Sequence, residues 1–145
     1  MFTEKPLKSN QRRPFQIVIG LMEGYGSNIV HTVEDVKKII KDWMAETLVS
    51  QPMTISGGTL IPGTTVYGWN STSTGVATNE EETVLFVGEI NPLYCSDMSN
   101  MQAIELLKSL ATTLGDKLNQ TRMYVSYCDE IRIYQNDGQS HPTGT

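Results

Sequence analysis

Apolar residues recur along this chain with two periods, and the switches between them mark its elements. In FQIVIGL, residues 15–21, Phe15, Ile17, Ile19 and Leu21 alternate with Gln16, Val18 and Gly20. That alternation predicts a strand with one strongly apolar face. From Thr32 the period lengthens: Val33, Val36, Ile40, Trp43 and Thr47 fall on one side of a helix, and Lys37, Lys38 and Lys41 point elsewhere. Thr32 and Asp35 approximate a capping box, and Glu34 and Asp35 suit a helix N-terminus.

Residues 53–69, MTISGGTLIPGTTVYGW, are β-type in composition but carry Gly57-Gly58 and Pro62-Gly63, which predicts an interrupted or kinked strand ending near Trp69. NSTSTGVATN, residues 70–79, reads as a polar, mobile loop. EETVLFVGEI, residues 81–90, has a nearly continuous apolar middle, as a central strand would. Ser99 and Gln102 offer a second capping pair. The helix behind them spans about Met101 to Leu118, with Ile104, Leu107, Ala111, Leu114 and Leu118 on one stripe. In TRMYVSYCDEIRIYQ, Met123, Val125 and Tyr127 alternate with Tyr124, Ser126 and Cys128, and Asp129-Glu130 marks a bend before a last strand segment.

The order β-α-β-β-α-β predicts an α+β, ferredoxin-like fold: an antiparallel sheet, both helices on one face, and an extra C-terminal strand. It spans residues 15–135 as a single domain, between a flexible basic arm (1–14) and a flexible polar tail (136–145). One domain of this size builds a core without disulfides.

Charge then narrows the function classes. Lys5, Lys8, Arg12 and Arg13 crowd the first fourteen residues, whereas from Phe15 onward seven basic residues face fifteen acidic ones (7 − 15 = −8). An acidic body repels nucleic-acid backbones, so no nucleic-acid partner is expected. No apolar run reaches the roughly 20 residues of a membrane helix, and no signal-peptide segment opens the chain. The expectation is a cytoplasmic protein without a membrane partner, in which the sequons at Asn70 and Asn119 have no role. Cys95 and Cys128 form no C-x-x-C motif, and His31 and His141 stand in unrelated contexts, so neither a metal nor a cofactor is expected.

GLMEGYGSN, residues 20–28, raises the question of a phosphate-binding loop. Its spacing is G-x-x-x-G-x-G, from Gly20 through Gly24 to Gly26, and the helix cap at Thr32 comes six residues later. No Lys-Ser/Thr follows, and Glu23 would repel phosphate. The segment reads as a strand-to-helix turn, with Glu23, Tyr25, Ser27 and Asn28 available to line a cleft. Tyr25 is its large aromatic, the residue expected to close over a ligand.

The leading functional reading is a non-catalytic small-molecule-binding or regulatory domain, working as a homodimer or higher oligomer. An anionic, nucleotide-type ligand would lie at a subunit cleft, stacked on Tyr67 and Trp69 and held by Arg122 or Arg132, with Glu23, Tyr25 and Asn28 around it. Self-association follows from apolar residues on both faces of the FVGEI strand, since helices cover one face of such a sheet. One alternative is a small enzyme with Cys95 as nucleophile and Glu89 or Asp97 as acid or base. Another is a structural protein-interaction module. Glu80-Glu81-Glu82 reads as a solvated charge run.

Overall fold

The structure, a computed structural model, describes residues 1–23 and 29–137. Its elements are β1 (Pro14–Gly20), α1 (Val33–Ser50), β2 (Thr59–Ser71), β3 (Gly75–Glu89), α2 (Asn100–Lys117), β4 (Arg122–Tyr127) and β5 (Glu130–Gln135). They form one antiparallel sheet in the order β2-β3-β1-β4-β5. The fold is α+β: a ferredoxin-like βαββαβ core with β5 added at the edge beside β4.

Local chemistry starts both helices where the sequence places them. The Thr32 hydroxyl accepts from the Asp35 N–H at 3.2 Å, and the Asp35 carboxylate accepts from the Thr32 N–H at 2.9 Å. Ser99 and Gln102 repeat the reciprocal cap on α2, at 3.1 and 2.8 Å. Each cap satisfies N–H groups that a helix start leaves without partners.

Strand alternation decides where the core lies. Phe15, Ile17 and Ile19 of β1 share a face with Val84 and Phe86 of β3 and with Met123, Val125 and Tyr127 of β4. All eight are buried in one cluster with Val36, Ile40 and Trp43 of α1 and Leu107, Leu110 and Leu114 of α2. Both helices therefore cover the same sheet face, and the Trp43 indole N–H donates to the Ser109 hydroxyl at 3.0 Å to tie them together. No helix among the described residues is long and apolar enough to cross a membrane.

The β2–β3 hairpin differs from the sequence expectation. β2 runs unbroken through Pro62-Gly63, because it is an edge strand and Pro62 owes no N–H to an outer neighbour. Residues 70–79 are not a loop: Asn70 pairs with Val76, Trp69 with Ala77 and Tyr67 with Asn79. Gly75, at φ 81°, supplies the left-handed backbone of the tight turn. β1 reaches only as far as Thr83, so residues 64–71 and 75–82 project past it as a two-stranded ribbon.

The basic arm runs against the body at the opposite end of the sheet. Lys8 pairs with Asp97, and Arg12 with Glu89 at 3.0 Å. The Arg13 Nε donates to the Tyr127 hydroxyl at 2.9 Å, which donates to Asn100 at 2.5 Å.

Gly88 gives a direct test of this packing. A Cβ there would stand 2.8 Å from the Phe15 ring and 3.0–3.1 Å from the backbone of Gly57-Gly58. Gly88→Ala is expected to destabilise the fold by about 1–3 kcal/mol, through overpacking, in urea unfolding.

Candidate functional site

The face that the helices leave uncovered carries the other half of each strand's alternation. Val18 and Gly20 of β1 lie level with Leu85 and Thr83 of β3, and Thr65 and Tyr67 of β2 lie level with Glu81 and Asn79. Tyr124 of β4 lies beside Val18. Where the β2–β3 ribbon rises past the end of β1, these residues, Leu85 apart, line a cavity of about 420 Å³. Arg122, Thr121 and Gln120 close its β4 side. Its size falls within the range typical of small-molecule sites, roughly 300–1,000 Å³.

Because Gly20 has no side chain, the Gln120 amide settles over the floor of the cavity at that position. A Cβ at that position would lie 2.6 Å from Oε1 of Gln120 and 3.4 Å from Oε2 of Glu81. Both oxygens therefore converge over the C-terminal end of β1. The Gln120 amide is anchored by donating to the Met22 carbonyl at 2.8 Å. Thr65 and Thr83 share a hydroxyl hydrogen bond at 3.0 Å on the β2 side. Tyr67 and Trp69, two residues apart on one strand face, stack at 5.6 Å with 25° between their planes. They offer an aromatic surface at the ribbon end.

Two charged groups line the cavity, one of each sign. Glu81 is half-buried, and burial pushes its carboxyl above the usual range. Arg122 is held by its Nε, which donates to Oε1 of Gln135 at 2.7 Å, leaving the terminal nitrogens of its planar fork for other partners.

The candidates read from sequence are distributed as follows. Tyr67 and Arg122 line this cavity, and Trp69 stacks against Tyr67. Arg132 lies level with the buried Val125, on the helix side, and pairs with Glu130 at 3.1 Å. Parity across β4–β5 thus separates it from Arg122. Glu23 accepts from the Asn119 amide at 2.9 Å and meets His31 Nε2 at 2.9 Å, next to the Met22–Val30 bridge. Tyr25, Ser27 and Asn28 lie outside the described residues.

The Cys95, Asp97 and Glu89 constellation does not assemble. Cys95 is buried in the core, its thiol directed at the Thr54 carbonyl at 3.8 Å. The Lys8 ammonium holds the Asp97 carboxyl below the usual range, the reverse of what a general base needs. Glu89 is paired with Arg12. It stands eight residues along β3 from Glu81, about 26 Å at strand rise.

Glu81 and Gln120 are the residues sequence reading missed. The run Glu80-Glu81-Glu82 is not uniformly solvated, because a strand sends its middle member to the opposite face. Period-two alternation extended back to Gly75 would have singled it out. Gln120, in the short α2–β4 connection, carries no comparable signal.

The sequence matches no known family of proteins and no curated protein. Among solved structures it is similar to phage SAM lyase in complex with S-methyl-5′-thioadenosine, with 14% identity and a TM-score of 0.69. That match covers 96% of this chain and all of the other. The same comparison with phage SAM lyase in the apo state gives 14% identity, a TM-score of 0.64 and coverage of 97% and 100%. The reading of this chain as a non-catalytic binding or regulatory domain is corrected by this finding. Both of these solved structures, matched over their full length, are of a lyase.

Glu81 yields a prediction on stability. Its pKa is raised in the folded state, so its favourable contribution is present below the unfolded pKa and lost as pH rises through the folded one. At neutral pH the ionised group therefore costs stability. Glu81→Gln is expected to raise Tm at pH 7, and the gap from the parent protein should close as pH falls into the acid range.

Proposed function

We propose that this chain is a lyase acting on S-adenosylmethionine or a close sulfonium nucleoside, with the open-face cavity as its active site. The carrying observation is the half-buried Glu81 in a cavity edged by the Tyr67–Trp69 stack, in a fold whose solved counterpart takes S-methyl-5′-thioadenosine. The aromatic pair receives the adenine ring, and Glu81 accepts hydrogen bonds from the α-ammonium group. Charge-assisted bonds of that kind outweigh neutral ones roughly twofold.

The chemistry asks little of the protein beyond placement. A sulfonium carries its own leaving group. The α-carboxylate of the same molecule attacks Cγ, the Cγ–S bond breaks, and its electron pair stays on sulfur. The products are the neutral thioether S-methyl-5′-thioadenosine and a five-membered lactone that keeps the ammonium; no proton moves. Opposite charges vanish as the bond forms, so a partly dehydrated cavity that folds the amino-acid tail back on itself favours the reaction.

The same face supports self-association. Ile61, Ile131, Ile133 and Tyr124 are exposed on it, between 37% and 62% accessible, with Val18, Leu85 and Val87 half-buried between them. A two-stranded ribbon is marginal in water by itself. A second copy packed on this face would cover the apolar strip and wall the cavity, in a homodimer or higher assembly. We assign the activity to the cytoplasm, where Cys95 and Cys128 stay as thiols.

Purified protein should convert S-adenosylmethionine to S-methyl-5′-thioadenosine, read by chromatography. Glu81→Gln should lower kcat/KM roughly ten- to a hundredfold. In the parent protein the acid limb of kcat/KM should fall at a higher pH than an ordinary glutamate would give, because the ionised carboxylate is required and burial raises its pKa. Intact substrate after prolonged incubation contradicts the assignment. Sedimentation equilibrium should give a multiple of 16.1 kDa; a clean monomer at micromolar concentration contradicts the assembly.

A further inference from the structure

The cavity has a direction. Glu81, on β3, is the one carboxylate among its described lining residues, and Arg122, on β4, is the one cation. β1 runs between them, and Gly20 leaves the space above it clear but for the Gln120 amide. The β1–β4 register sets Val18 beside Tyr124, and its continuation sets Gly20 beside Arg122. Glu81 lies two residues past the level shared by Thr83, Gly20 and Arg122. With strands about 4.8 Å apart and a rise of about 3.4 Å per residue, the acidic and basic walls stand roughly 12 Å apart at the backbone, on a diagonal across β1.

Arg122 is also prepared for a planar anion. Its Nε is committed to Gln135 at 2.7 Å, which fixes the plane of the guanidinium at the cavity edge. Arg122 as a residue is half-buried at the cavity edge. Among the described residues no carboxylate pairs with it, and of the described cations Arg122 is the one that lines this cavity.

We propose that Arg122 is the specificity determinant of this site, binding the α-carboxylate of the substrate's amino-acid tail. The assignment rests on the lyase reading above and deepens it. One carboxylate oxygen held by the fork leaves the other directed back toward Cγ, so recognition and folding of the tail are one event. The enzyme then demands an intact amino acid on the sulfonium and rejects the decarboxylated sulfonium, because a site built around a charged partner is left unpaired when that partner is missing. The product thioether lacks the tail altogether, so its affinity is independent of Arg122.

The test compares parent protein, Arg122→Gln and Arg122→Lys by calorimetric titration with S-methyl-5′-thioadenosine and with the decarboxylated sulfonium, and by steady-state turnover of S-adenosylmethionine. For Arg122→Gln, kcat/KM is expected to fall roughly ten- to a hundredfold while thioether affinity stays within about twofold. Arg122→Lys, which keeps the charge but not the fork, should recover part of the loss. The parent should prefer S-adenosylmethionine over its decarboxylated form in competition, and Arg122→Gln should not. Equal loss of thioether and substrate binding in Arg122→Gln, or unchanged turnover, overturns the role of Arg122 while leaving the lyase reading intact. A parent protein that binds neither nucleoside overturns both.

Discussion

Two helices can cover only one side of a five-stranded sheet. Ile17 and Ile19, fully buried with Val84 and Phe86 beneath α1 and α2, commit one face of β1 and β3 to the core. Every alternate residue on those strands is then delivered to the other face, whatever its chemistry. Val18, Gly20, Thr83 and Glu81 share that surface for the same reason that Ile17, Ile19, Val84 and Phe86 are hidden. The cavity is the consequence of an unbroken strand alternation meeting a ribbon that outruns β1.

The site sits where that alternation is least comfortable. Partial burial of Glu81 raises the energy of its charged form, and among the described residues no basic group is paired with it. Surface ion pairs such as Lys37–Glu34 and Lys38–Asp42 are ordinary by comparison and contribute little. A carboxylate kept in a cavity opposite a fixed guanidinium is a dipolar environment, complementary to a ligand with separated charges of its own. Such an arrangement trades folding stability for recognition, a familiar compromise at functional sites.

Much of the fold was legible because it rests on local rules. The alternation at Phe15–Leu21, the stripe from Val33 to Thr47 and the Thr32 and Ser99 caps each specify one element with little help from the rest of the chain. The β2–β3 hairpin was not legible. Its polar Asn70–Asn79 segment has loop composition, and only pairing between β2 and β3 makes it a strand. That misreading hid the site, since Glu81 belongs to the same extension. Tyr67 and Arg122 stood out as residue types, but their meeting across four strands is a property of topology. Arg132 looked equivalent to Arg122 in sequence, and a one-strand change of parity sends it to the helix side.

The proposed nucleoside site lies on the open sheet face, between the Tyr67–Trp69 stack and Arg122. A crystal structure of the protein grown with S-methyl-5′-thioadenosine tests it most directly. The adenine ring is expected against Tyr67 and Trp69, and the thioether sulfur over Gly20 between Glu81 and Arg122. Ligand density at the opposite end of the sheet, beside Cys95 and Asp97, or on the helix side, would contradict it.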